Sequence, residues 1–146
     1  MVVSAVPAVA PLSRWPRLWD ERELLLERQH DRLEADLLEL ISLHGGKTPP
    51  WEAAQALACE AASRRLVWQL QVHLRLEERW LSQGGCLCSG HREAHREARR
   101  VAFEGCLRSS GDRAARLQWL LALQAWFSSH RSGPDRLAYA LAATQP

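Results

Sequence analysis

Three breaks constrain the fold of this chain more than any other feature. Residues 45–50 (GGKTPP), 84–90 (GGCLCSG) and 109–111 (SSG) combine the glycines, prolines and serines that stop helices and open turns. The stretches between them are rich in Leu, Ala, Glu and Arg, which favour helix, and show little of the alternation or β-branched content of strands. Their apolar residues recur at helical spacing. From about Leu18 to His44, Leu26, Leu33, Leu37 and Ile41 share a face with His30. From about Trp51 to Gln83, Ala62, Leu66, Leu70, Glu77, Trp80 and Leu81 share a face with His73. A third segment, capped by Ser89 or Gly90 and running to about Leu107, turns His91, His95, Ala98, Ala102 and Cys106 to one side. The fourth, capped by Asp112, does the same with Trp119, Leu123, Trp126, Phe127 and His130.

Four amphipathic helices joined by short loops predict an all-α fold, an antiparallel up-down-up-down four-helix bundle over residues 18–146. Residues 1–17 contain Pro7, Pro11 and Pro16 and are read as an irregular N-terminal arm. A chain of 146 residues is enough for one domain with its own core.

Charge and cysteines narrow the function. Nineteen basic against 17 acidic residues leave a net charge of +2, too even to point to nucleic acid. No apolar run is long enough to span a bilayer, and the apolar start lacks the basic segment of a signal peptide. The cysteines, Cys59, Cys86, Cys88 and Cys106, contain no C-x-x-C pair and read as free thiols in a reducing compartment. The expected location is the cytoplasm.

Five of the six histidines lie on the inward faces, distributed over all four helices. One buried histidine is ordinarily satisfied by a neighbour, but five cannot draw on helical carbonyls that are already bonded. A shared metal site satisfies them together. His73 and Glu77 are four apart, as are His91 and His95, so each pair projects from one face about one turn apart. His130 and Asp135 are five apart, a step that points away from itself on a regular helix. Pro134, which clashes with the carbonyl of His130, predicts a distortion that returns Asp135 to the site. Five imidazoles and two carboxylates oversupply one ion and suit two. The nitrogen–oxygen set fits iron or manganese better than zinc. The HREAH segment at residues 91–95 puts its glutamate at the wrong step for a zincin, and only one Glu-x-x-His match, Glu27 to His30, is present where a ferritin-like site needs two.

The ordered set His30, His73 with Glu77, His91 with His95, and His130 with Asp135 resembles the hemerythrin family, specifically its bacterial single-domain members. HLRLEERWL at residues 73–81, WFSSH at 126–130 and Gln29-His30 resemble further family segments. The resemblance implies two iron ions, Fe2+ or Fe3+, joined by an oxo or hydroxo bridge and by Glu77 and Asp135. His91, His95 and His130 would hold one iron, and His30 and His73 the other, where dioxygen would bind. Trp126, Phe127, Trp80 and Leu81 would wall the dioxygen pocket, with Gln69 and Glu27 behind the histidines. Arg131 and the Gly133-Pro134 pair depart from the family pattern where the pocket's polarity and access are set. The implied function is a reversible dioxygen carrier, store or delivery protein and not an enzyme, with peroxidase activity as a side reaction and a protein partner that receives oxygen. The alternatives are a diiron sensor of oxygen, nitric oxide or redox state, and a diiron peroxidase or oxygenase.

Overall fold

The computed structural model describes residues 15–46 and 50–146. Most of the expected N-terminal arm, residues 1–14, lies outside the described residues. Four long helices follow: α1 (Trp19–Gly45), α2 (Ala53–Gln83), α3 (Ser89–Arg108) and α4 (Arg113–His130). α4 passes through a single π-turn (Arg131–Asp135) into a last short helix, α5 (Arg136–Ala142). No strand occurs among the described residues. α1 packs between α2 and α4, and α3 closes the ring against the same two helices, so the architecture is the antiparallel four-helix bundle read from the breakers.

The ends follow local chemistry. Asp112 accepts a hydrogen bond from the Ala115 N–H at 3.0 Å, capping α4 as its side chain predicts. The cap of α3 is one residue earlier than Ser89: the Cys88 thiol accepts from the His91 N–H at 3.3 Å. Gly85 and Gly111 take positive φ, 69° and 76°, at the two tight turns. The terminal carbonyls of α1 are met by a cation from another helix. Arg113 donates to His44, Leu43 and Gly46 and lies 4.2 Å from the Trp51 ring. Nearby, buried Arg116 ties three helices together through Glu60, Ser109 and the Cys106 carbonyl. All four cysteines are free.

The core is in two parts. Leu33, Leu37, Leu66, Leu70, Leu74, Leu120 and Phe127 belong to the larger cluster. Leu26, Trp80, Leu81, Ala138 and Tyr139 belong to the smaller one. On α1, His30 falls between Leu26 and Leu33; on α4 and its continuation, His130 and Asp135 fall between Phe127 and Ala138. A polar layer therefore separates the two apolar clusters. No helix among the described residues is long and apolar enough to cross a membrane.

Candidate metal centre

All seven residues singled out by spacing are buried in that layer: His30, His73, Glu77, His91, His95, His130 and Asp135. The four-residue steps on α2 and α3 work as expected on straight helices. Asp135 arrives by a different route. A π-turn takes i to i+5 hydrogen bonding, so one extra residue per turn brings the five-residue step from His130 back toward one face. Pro134 sits inside this turn, where the wider spacing relieves its clash with the preceding carbonyl. Asp135 Oδ1 ends 2.9 Å from His130 Nε2 and 2.9 Å from His91 Nε2.

The two carboxylates divide their oxygens. Glu77 Oε1 lies 3.2 Å from His95 Nε2 and 3.4 Å from His91 Nε2, while Oε2 lies 3.5 Å from His73 Nε2 and 3.6 Å from His30 Nε2. Asp135 Oδ1 faces His91 and His130, while Oδ2 faces His30 at 3.3 Å. His130 Nε2 is also 2.8 Å from His95 Nε2 and 3.1 Å from His91 Nε2. Two groups of metal-capable atoms result, Glu77-His91-His95-His130-Asp135 and His30-His73-Glu77, sharing Glu77.

Second partners orient the rings. His73 Nδ1 donates to Gln29 Oε1 at 2.7 Å, and His95 Nδ1 donates to Glu78 Oε1 at 3.2 Å. In a neutral ring, donation from Nδ1 leaves the Nε2 lone pair facing the centre, as a metal ligand requires. The sequence suggested Gln69 behind His73; the residue found there is Gln29, on the neighbouring helix α1. Glu27 lies near His30, with Oε1 3.4 Å from Nδ1, but is not aligned as a hydrogen bond. The spacing rules also missed Tyr139, whose hydroxyl donates to Glu77 Oε2 at 2.5 Å. Its signal was its place four residues beyond Asp135, on the same face as that carboxylate.

The two buried carboxylates make the centre favour positive charge. Burial opposes charge on His30 and His91, but Asp135 and Glu77 outweigh it and push both imidazoles up to about 9. Burial lowers His73 and is only partly offset by Glu77. Burial also opposes ionisation of Glu77, yet the surrounding imidazoles hold it well below the usual carboxylate range. Burial and the two carboxylates raise the Tyr139 phenol, keeping it a donor.

The donor set fits a metal. His30 Nδ1 and Nε2, His73 Nε2, Glu77 Oε1 and Asp135 Oδ2 are buried without a hydrogen-bond partner. His30 Nδ1 points to Glu27, but the other four atoms face the centre, and orphaned groups of this kind are costly unless an ion takes their lone pairs. Residues 24–142 match the hemerythrin HHE cation binding domain. The chain belongs to the hemerythrin HHE cation-binding family. A search of curated proteins and one of solved structures each returned no match. Hemerythrin-family membership and the buried His, Glu and Asp cluster together make this a metal-binding protein.

The expected pocket residues of this hemerythrin domain occupy different places. Phe127 is buried with its ring centre 5.4 Å from that of His30 and 6.2 Å from that of His73. Trp126 stacks on His130 at 4.5 Å, within the other group. Trp80 and Leu81 lie in the smaller apolar cluster, Trp80 beneath Arg22 and against Trp15. Arg131 reaches to α1, where it pairs with Glu27, Asp31 and Glu34.

Proposed function

We propose that this chain holds two iron ions and binds dioxygen reversibly beside His30 and His73. The observation that carries this reading is the division of the carboxylate oxygens. Glu77 turns Oε1 to His91 and His95 and Oε2 to His30 and His73, while Asp135 turns Oδ1 to His91 and His130 and Oδ2 to His30. Such a pair suits two ions bridged by both carboxylates, with an oxo or hydroxo group between them. His91, His95 and His130 would hold one ion, and His30 and His73 the other. The protein supplies one nitrogen fewer on the His30–His73 side, so an exogenous ligand completes that side. Iron in these seats would supply the electrons that dioxygen accepts on binding and returns on release.

The chain's own residues favour binding over turnover. Phe127 covers the His30–His73 side with an apolar ring, limiting the water and protons that promote loss of reduced oxygen species. Tyr139 fixes Glu77 through a hydroxyl that stays protonated. A surface cleft of about 550 Å³ between α1 and α5, lined by Glu27, Arg131 and Tyr139, lies on the outer side of Tyr139. Five imidazoles against two bridging carboxylates make the site poorer in anionic oxygen than sites that stabilise high-valent iron.

The test is to purify the protein, count iron, reduce it, and record visible spectra through cycles of air and deoxygenation. About two irons per chain are expected, with a charge-transfer band that comes and goes with oxygen. Zinc in the site, or bleaching that deoxygenation does not reverse, overturns the carrier reading.

A further inference from the structure

What stands behind the ligand histidines is unequal on the two sides of the centre. His73 donates its Nδ1 proton to a neutral amide, Gln29. His95 donates to a carboxylate, and the oxygen it uses is shared. Glu78 Oε1 accepts from His95 Nδ1 at 3.2 Å and from Arg99 Nη1 at 2.5 Å. The Glu78 and Arg99 side chains are only 15% and 19% exposed, so this is not a solvent-screened surface pair. The placement follows from the helices. Glu78 is the residue after Glu77 and so turns about 100° from it, toward α3, where Arg99 stands one turn beyond His95.

A carboxylate acceptor draws an imidazole toward imidazolate and makes its other nitrogen a stronger donor to a metal. A guanidinium on the same oxygen withdraws part of that density. We propose that Arg99 is a positioning residue that, by sharing Glu78 Oε1 with His95, sets how much electron density His95 delivers to an ion on the His91–His95–His130 side. The two ions are thereby made electrochemically unequal. This rests on the two-iron reading above. Arg131 plays no matching part: its partner Glu27 faces His30 at 3.4 Å without the alignment of a hydrogen bond.

The experiment poises the iron-loaded protein electrochemically and reads the ferric-to-ferrous ratio. Arg99→Met moves that ratio about tenfold toward ferric, which is ~59 mV for one electron. Arg99→Lys restores most of the shift. Glu78→Gln moves the ratio the other way, and in that background Arg99→Met changes it by less than about twofold, because the shared oxygen is gone. Equal Arg99→Met shifts in both backgrounds would mean a charge acting through space, and a shift toward ferrous would mean Arg99 merely holds Glu78 in place. Either result overturns the proposal. A wild-type chain that takes up no iron overturns the two-iron reading alone. The sharing is then decided in the metal-free protein by the His95 Nδ1–H proton resonance. It moves downfield in Arg99→Met, and an unmoved resonance overturns the proposal.

Discussion

Glu77 carries more of the site than any other side chain, because its two oxygens face different groups and a third partner, Tyr139, holds it. Glu77→Ala should therefore reduce bound iron on both sides, whereas His73→Ala should reduce it on the His30 side first. His44→Ala should leave iron content unchanged, since His44 is bonded to the Leu40 carbonyl and packs on Trp51 outside the centre. Elemental analysis of the three variants checks this. Metal uptake must also displace protons from His30 and His91, which are raised to about 9. Iron affinity should then rise with pH up to about 9, with proton release visible in weakly buffered solution; a flat affinity across pH 6 to 9 would sink this account. At this scale the sequence showed which residues face inward, because a helical step fixes a direction. It did not show who stands behind them. Gln29, Glu78 and Tyr139 meet their partners across the bundle, at separations of 44, 17 and 62 residues, and no periodicity encodes a contact between helices.

The helices were legible because glycine and proline punctuate them, and the distorted segment was legible because Pro134 stands between His130 and Asp135. The form of the distortion, a π-turn that continues into α5, was not. Proline forbids one hydrogen-bonding pattern without naming its replacement. The Cys88 cap was hidden for a related reason: Ser89 is the better capping residue by type, yet the chain enters α3 one position earlier. Gly105 was also silent. It lies within α3, where glycine is usually a weakness, but the Trp119 indole of α4 packs directly over it. A methyl group there would overlap the ring. Gly105→Ala should destabilise the protein by about 1–3 kcal/mol despite alanine's higher helix propensity, measured by urea unfolding; a more stable variant would show that the ring moves freely aside.

On the scale of the whole molecule, the metal and the fold are linked. Buried donors without partners weigh against the metal-free fold, and an ion that binds only the folded chain adds about 2.7 kcal/mol at a concentration of 100 Kd. Chelation should lower the thermal midpoint by several degrees, seen by calorimetry. The deficit should depend on pH. His30 and His91 titrate higher folded than unfolded, so the stability they give as imidazolium ions is complete below about 6.5 and disappears as pH rises through about 9. The metal-free protein should weaken over that window and the iron-loaded protein should not, because its imidazoles carry metal in place of protons.

The polar layer that divides the core has a further consequence for how the molecule comes apart. Leu33, Leu74 and Phe127 on one side, and Leu26, Trp80 and Tyr139 on the other, form separate apolar clusters on shared helices. Metal held by these seven side chains would rivet the clusters into one cooperative unit. Without it, each end of the bundle can open while the other stays closed. Amide exchange should then resolve two protection classes in the metal-free chain, divided near the histidine layer, and a single class once iron is restored.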